Sequence, residues 1–172
     1  MHEIEIAEVD SFILADKTLD GLMPAWRKTY AADWQIRWGI LDELGILRAE
    51  LCLSVDAKLE KPTIVPLFKR RLIYRFDLVS IGECKPNPPD AWQHGLPPSV
   101  CGPHTHPWSV NREHVKNNGF RDLPYRSPVS VAAKTLEHAL GTAAKDLNLS
   151  VTSDQRDVKP PSQAAFLLGR SA

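Results

Sequence analysis

The sequence predicts an α+β domain in which an antiparallel sheet of about four or five strands packs against one long C-terminal helix, with a long Pro-rich loop carrying the chemistry. Three features lead to that reading. Trp34, Ile36, Trp38 and Ile40 alternate with polar or small residues, and Leu47, Ala49, Leu51, Leu53 and Val55 alternate again after the turn-forming Asp42-Glu-Leu-Gly45. Side chains two apart on a strand share a face, so the two runs predict a half-buried β-hairpin. Val129, Ala132, Leu136, Leu140, Ala143 and Leu147 follow at helical spacing behind Ser127-Pro128, an N-cap and a first-turn proline, which predicts a helix from residue 128 to about 147. Nine of the fourteen prolines fall between Pro86 and Pro128, a density that favours loop over helix or central strand.

The remaining elements follow in chain order. Ser11-Phe-Ile-Leu-Ala15 is short and apolar and reads as a first strand. Pro24 to Ala32 places Trp26 and Tyr30 four apart behind a proline, which suits a short helix. A polar break from Lys58 to Pro62 precedes two more strands, Thr63 to Phe68 and Arg71 to Val79; in the second, Arg75 and Asp77 lie opposite the apolar face. Leu149 to Thr152 is an expected edge strand. The chain then divides into one domain, 1–152, and a tail, 153–172, whose Ala164-Ala-Phe-Leu-Leu168 is apolar enough to dock on the body or on a partner.

Composition bounds the function. Basic and acidic residues balance at 21 each, so no overall field draws the protein to nucleic acid or membrane. Three cysteines, an odd number spread through the chain, do not suggest a disulfide framework and point to a reducing cytoplasm. Met1 to Asp10 alternates acids with apolar residues, which predicts no secretory leader, and no apolar run approaches a membrane span. Nucleotide-binding glycine motifs and the GxSxG nucleophile elbow are absent.

The candidate site is the run Cys101-Gly-Pro-His-Thr-His-Pro-Trp-Ser-Val-Asn-Arg-Glu-His114, which holds three of the six histidines. Pro103 and Pro107 bias the His-Thr-His core toward extended backbone, so His104 and His106 are expected to project from the same face. One reading is a zinc site. Cys101, His104 and His106 supply thiolate and imidazole ligands, with His114, Glu83, Cys84 and His94 in reserve, and Glu83 or Glu113 is the base for a metal-acidified water.

His104-Thr-His106-Pro107 resembles the opening of the JAMM metalloprotease motif, in which HxHP is followed by six residues, a serine, two residues and an aspartate. Here the serine position falls on His114 and the aspartate position on Asn117, while Glu83 stands for the upstream catalytic glutamate. The resemblance implies at most an altered or inactive relative.

A second reading needs no cofactor. His104, His106 or His114 divide acid and base roles, Arg112 holds a phosphate and the substrate is RNA, with Lys69-Arg70-Arg71 adding phosphate contacts and Trp92 or Trp108 stacking on a base. The expected function is thus a small cytoplasmic hydrolase with a histidine-rich site, acting with zinc or on RNA. The alternative is a protein-interaction module, an inhibitor or defence-associated protein, whose histidines are structural and whose partner is another protein.

Overall fold

The computed structural model describes residues 2–30, 33–56, 61–129 and 135–159. Elements run in the order α1 (His2–Leu14), β1 (Lys17–Leu19), β2 (Arg27–Lys28), β3 (Trp34–Leu41), β4 (Leu47–Val55), β5 (Thr63–Phe68), β6 (Arg71–Leu72), β7 (Arg75–Asp77) and β8 (Cys84–Pro86). A 3₁₀ turn (Ala91–His94) follows, then β9 (Ser99–Cys101), β10 (His104–His106), α2 (Trp108–Asn118), β11 (Ser127–Pro128), α3 (Leu136–Asp146), β12 (Leu149–Ser150) and α4 (Ser153–Arg156). Ten of the strands form one curled sheet with the path β11-β10-β7-β5-β4-β3-β1-β12, and β2 and β6 attach to β3 and β5. β8 and β9 make a separate two-stranded ribbon.

This replaces the expected four or five strands on one long helix with a ten-stranded half-barrel carried by small helices. The sheet is also mixed, because β1 and β12 pair in parallel. Most of the additional strands are two or three residues long, too short to carry a period of two. The expected C-terminal helix is shorter and begins later. Ser127-Pro128 pairs with Thr105 and His104 at the sheet's edge, where a residue without an N–H is tolerated, and the Thr135 hydroxyl caps α3 by accepting from the His138 backbone N–H. Val129 lies before the described part of that helix, and Ala132 lies outside the described residues, as does Ala164–Leu168.

Two N-terminal expectations are also overturned. Ser11 to Leu14 ends α1 rather than forming a strand, since Ile6, Val9 and Phe12 recur every three residues and bury one helical face. Arg27 and Lys28 form a short strand paired with Trp34 and Gln35 where a helix was expected. The Pro86–Pro128 segment is not a loop either: it contains α2 and four short strands, of which β10 lies inside the sheet. Pro86 ends β8, Pro107 precedes α2, Pro128 lies on the edge strand β11, and the others fall outside the strands, where no ladder N–H is lost.

The long hairpin is present, with Trp38 opposite Leu51 and Ile36 opposite Leu53. Its core face carries Ile36, Trp38, Ile40, Leu51 and Leu53, all buried, and continues through Ile64 to Phe76. Ile6, Val9 and Phe12 of α1 join that cluster, as do Leu140, Ala143 and Leu147 of the C-terminal region. The segment after residue 152 also packs on the body: Val158 is buried, and Gln155 donates to the carbonyls of Leu19 and Gly21. Among the described residues no helix is long and apolar enough to cross a membrane.

A candidate metal centre on β7 and β10

β10 pairs with β7 so that His104 lies opposite Asp77, Thr105 opposite Phe76 and His106 opposite Arg75. Alternation then places Asp77, Arg75, His104 and His106 on the face away from the Phe76 core. Thr63 of β5, in register with Asp77, shares that face and donates its hydroxyl to Asp77 Oδ1 at 3.0 Å. His104 and His106 therefore point the same way, and both are buried together with Asp77.

Each imidazole is oriented by a backbone carbonyl. His104 Nδ1 lies 2.8 Å from the Gly102 carbonyl, and His106 Nδ1 is bonded to that of Leu123. A carbonyl oxygen only accepts, so Nδ1 carries a proton in both rings, and in the neutral form of either ring Nε2 is the lone-pair atom. Both Nε2 atoms face Asp77 Oδ2, at 3.5 Å from His104 and 3.4 Å from His106. When both rings are neutral, three acceptor atoms converge here with no proton between them. His106 Nε2 is buried without a hydrogen-bond partner.

The carbonyls are themselves fixed. Gly102 has φ near +80°, which glycine adopts without penalty, and a β-carbon there would come 3.3 Å from Ile81 Cα. Its N–H donates to the Glu83 carbonyl beside the bridge between Cys84 and Cys101, which face each other across the ribbon. On the other side, Asn111 bonds both the N–H and the carbonyl of Tyr125, and Asn87 does the same for Arg126. These two buried amides pin the segment that carries the Leu123 carbonyl.

The carboxylate at this point is ionised. Burial pushes the Asp77 carboxyl up, but the His106 ring and the Arg75 guanidinium outweigh it and hold the group well below the ordinary carboxylate range. Arg75 Nε sits 2.9 Å from Oδ1 and 2.8 Å from Oδ2. Burial pushes the His104 imidazole down, against the Gly102 carbonyl and the Asp77 charge, which keeps the ring neutral as a metal ligand must be. A tetrahedral zinc ion, with bonds of about 2.0–2.1 Å, spaces its ligands about 3.3 Å apart; Asp77 Oδ2 lies 3.5 and 3.4 Å from the two Nε2 atoms, and the three ligand atoms all lie within 4.8 Å of one another. Asp77, His104 and His106 fit a divalent metal, and their Nδ1–H···O=C bonds are the outer-shell contacts that fix metal-bound histidines.

The other residues singled out by sequence fall elsewhere. Cys101 is bonded to Cys84, so it offers no thiolate, and the expectation of unpaired cysteines is corrected by that cross-strand bridge. Glu83 lines a cavity of about 320 Å³ shared with Asp77, His104 and His106, and is held by Lys61 and Lys85 at 2.9 Å each. Arg112 and His114 are on α2, outside the cavity: Arg112 grips both oxygens of Asp10 and also pairs with Glu113, while His114 bonds Asp122. Asn117 is exposed on the same helix. Lys69 and Arg71 pair with Glu8 and Glu5 of α1, so that basic cluster faces the helix. Trp108 is buried against Asp10, and Trp92 is exposed.

Asp77 was missed as a candidate ligand. The available signal was Arg75-x-Asp77, an ion pair on one face of a strand whose intervening residue, Phe76, faces the core. Compared with known protein families, with characterised proteins and with solved structures, the chain matches none.

Proposed function

We propose that the chain is a zinc-dependent hydrolase centred on Asp77, His104 and His106. The observation that carries this reading is the convergence of two Nε2 atoms on an ionised, buried carboxylate, each ring locked by a backbone carbonyl. Three protein ligands beside an open cavity of about 320 Å³ are the arrangement of a catalytic rather than a structural zinc. When bound, the ion acidifies a water toward neutrality and supplies the nucleophile. The chain's own part is to hold three ligands rigid: Arg75 and Thr63 orient Asp77, while Gly102 and Leu123 orient the imidazoles. Glu83, kept ionised by Lys61 and Lys85, lines the same cavity.

The expectation of a cytoplasmic protein rested in part on the cysteines, and the Cys84–Cys101 bridge withdraws that part of its support. Hydrolysis of small chromogenic phosphate and acetate esters, before chelation, after it and after zinc return, tests the function. Activity is expected to vanish with chelator, return with zinc and be missing from Asp77→Asn. Activity indifferent to chelator would instead favour acid–base catalysis by the histidines alone. No activity in any state would leave the interaction module.

A further inference from the structure

We infer that the cavity over the triad receives a phosphoryl group and that Arg126 is its principal anion-holding side chain, an assignment of substrate class that rests on the metal-centre reading above. Four cations, Lys61, Arg75, Lys85 and Arg126, line the cavity against two carboxylates, Asp77 and Glu83. The carboxylates are already engaged, Asp77 by Arg75 and Glu83 by both lysines. Arg126 makes no ion pair among the described residues; its Nη1 donates instead to the carbonyls of Pro86 at 2.7 Å and Pro124 at 3.1 Å. Its backbone N–H is held by Asn87 Oδ1 at 2.7 Å, so the residue is anchored at both ends.

A partly buried guanidinium cannot shed its charge and gains only partial compensation from neutral carbonyls. An anion in the cavity completes that environment. The four cations come from separate parts of the chain: Lys61 ahead of β5, Arg75 on β7, Lys85 on β8 and Arg126 ahead of β11. Donors converging from several directions suit the three non-bridging oxygens of a phosphoryl group, on which charge rests during transfer, better than the two of a planar carboxylate. The volume admits a small phosphoester or one nucleotide's phosphate. In the reaction the water oxygen forms the new P–O bond, the ester P–O bond breaks, and the alcohol leaves with the proton that the water gave up.

The experiment is titration of inorganic phosphate into zinc-loaded and metal-free protein, with bound zinc measured in parallel. Wild-type protein is expected to bind phosphate well above acetate. Arg126→Met should weaken binding about tenfold or more with zinc content unchanged, and Arg126→Lys should recover part of the loss. Lys85→Gln, a change at an exposed position, should weaken it less and guards against misfolding of the Arg126 variants. Unchanged phosphate affinity in both Arg126→Met and Lys85→Gln, or acetate binding as tight as phosphate, overturns the assignment. Zinc uptake without phosphate binding removes the phosphoryl site and leaves the metal centre standing. Arg126-dependent phosphate binding in a protein that takes up no zinc does the reverse.

Discussion

Strands β4 and β10 lie in the same sheet and both carry buried side chains, yet β4 encloses Ala49, Leu51, Leu53 and Val55 while β10 encloses His104, Thr105 and His106. Burial of β4 is favourable by itself, at about 25 cal/mol per Å² of apolar surface. Burial of β10 is costly unless each polar atom finds a partner. The Nδ1 atoms have carbonyls; His106 Nε2 has none, and what faces it is a carboxylate that can only accept. The contrast separates a strand that holds the fold together from one that the fold supports for another purpose.

The contrast breaks at different places under different substitutions. Leu53→Ala should cost about 3 kcal/mol or more in denaturant unfolding, because a fully buried leucine between β3 and β5 leaves a cavity, and the zinc affinity of the folded fraction should stay near wild type. Asp77→Asn should do the opposite, lowering zinc affinity about 100-fold, the equivalent of roughly 2.7 kcal/mol, with the change read by competition against a chelator. Equal loss of fold stability in the two variants would remove the distinction between the strands.

Gly102→Ala sharpens the comparison. The left-handed backbone and the approach of Ile81 should turn the Gly102 carbonyl away from His104, and a loosened outer contact of this kind costs about tenfold in metal affinity. An unchanged affinity would mean that the carbonyl does not orient the ring.

The smallest effect concerns the α1–α2 clamp, which is scaffold. Arg112 hydrogen bonds to Asp10 hold its carboxyl below the ordinary value of 3.8, against burial and with help from Trp108. The unfolded chain therefore takes up this proton first as pH falls, so the clamp's contribution is fully present above the unfolded value and is lost as pH falls through the folded one. The stability difference between wild type and Asp10→Asn should be constant above about pH 5 and close below about pH 4, with zinc content at neutral pH the same in both. A difference that widens on acidification would contradict the clamp.

Legibility in the sequence followed element length and local spacing. β3 and β4, at eight and nine residues, show four or five alternations each, and their pairing was readable. The shared face of His104 and His106 was readable too, because two prolines and a spacing of two decide it locally. Asp77 was not, since its place beside them depends on the pairing of two three-residue strands and on register set by neighbouring elements. The proline-dense segment misled for the same reason: its strands are too short for periodicity, and proline is harmless at their ends. The helix placed at residue 128 followed a stripe that continues backwards past the real cap, Thr135. For Cys84 and Cys101, the odd cysteine count concealed a cross-strand pair, with buried Cys52 as the remainder.

The most direct test of the account is elemental analysis of protein purified without a histidine tag, comparing wild type with the His104→Ala, His106→Ala double variant. The account predicts close to one zinc per wild-type chain and essentially none in the double variant, since two of three ligands are gone. Wild-type protein that carries no metal and takes up none when zinc is offered, or a double variant that retains as much zinc as wild type, would contradict it.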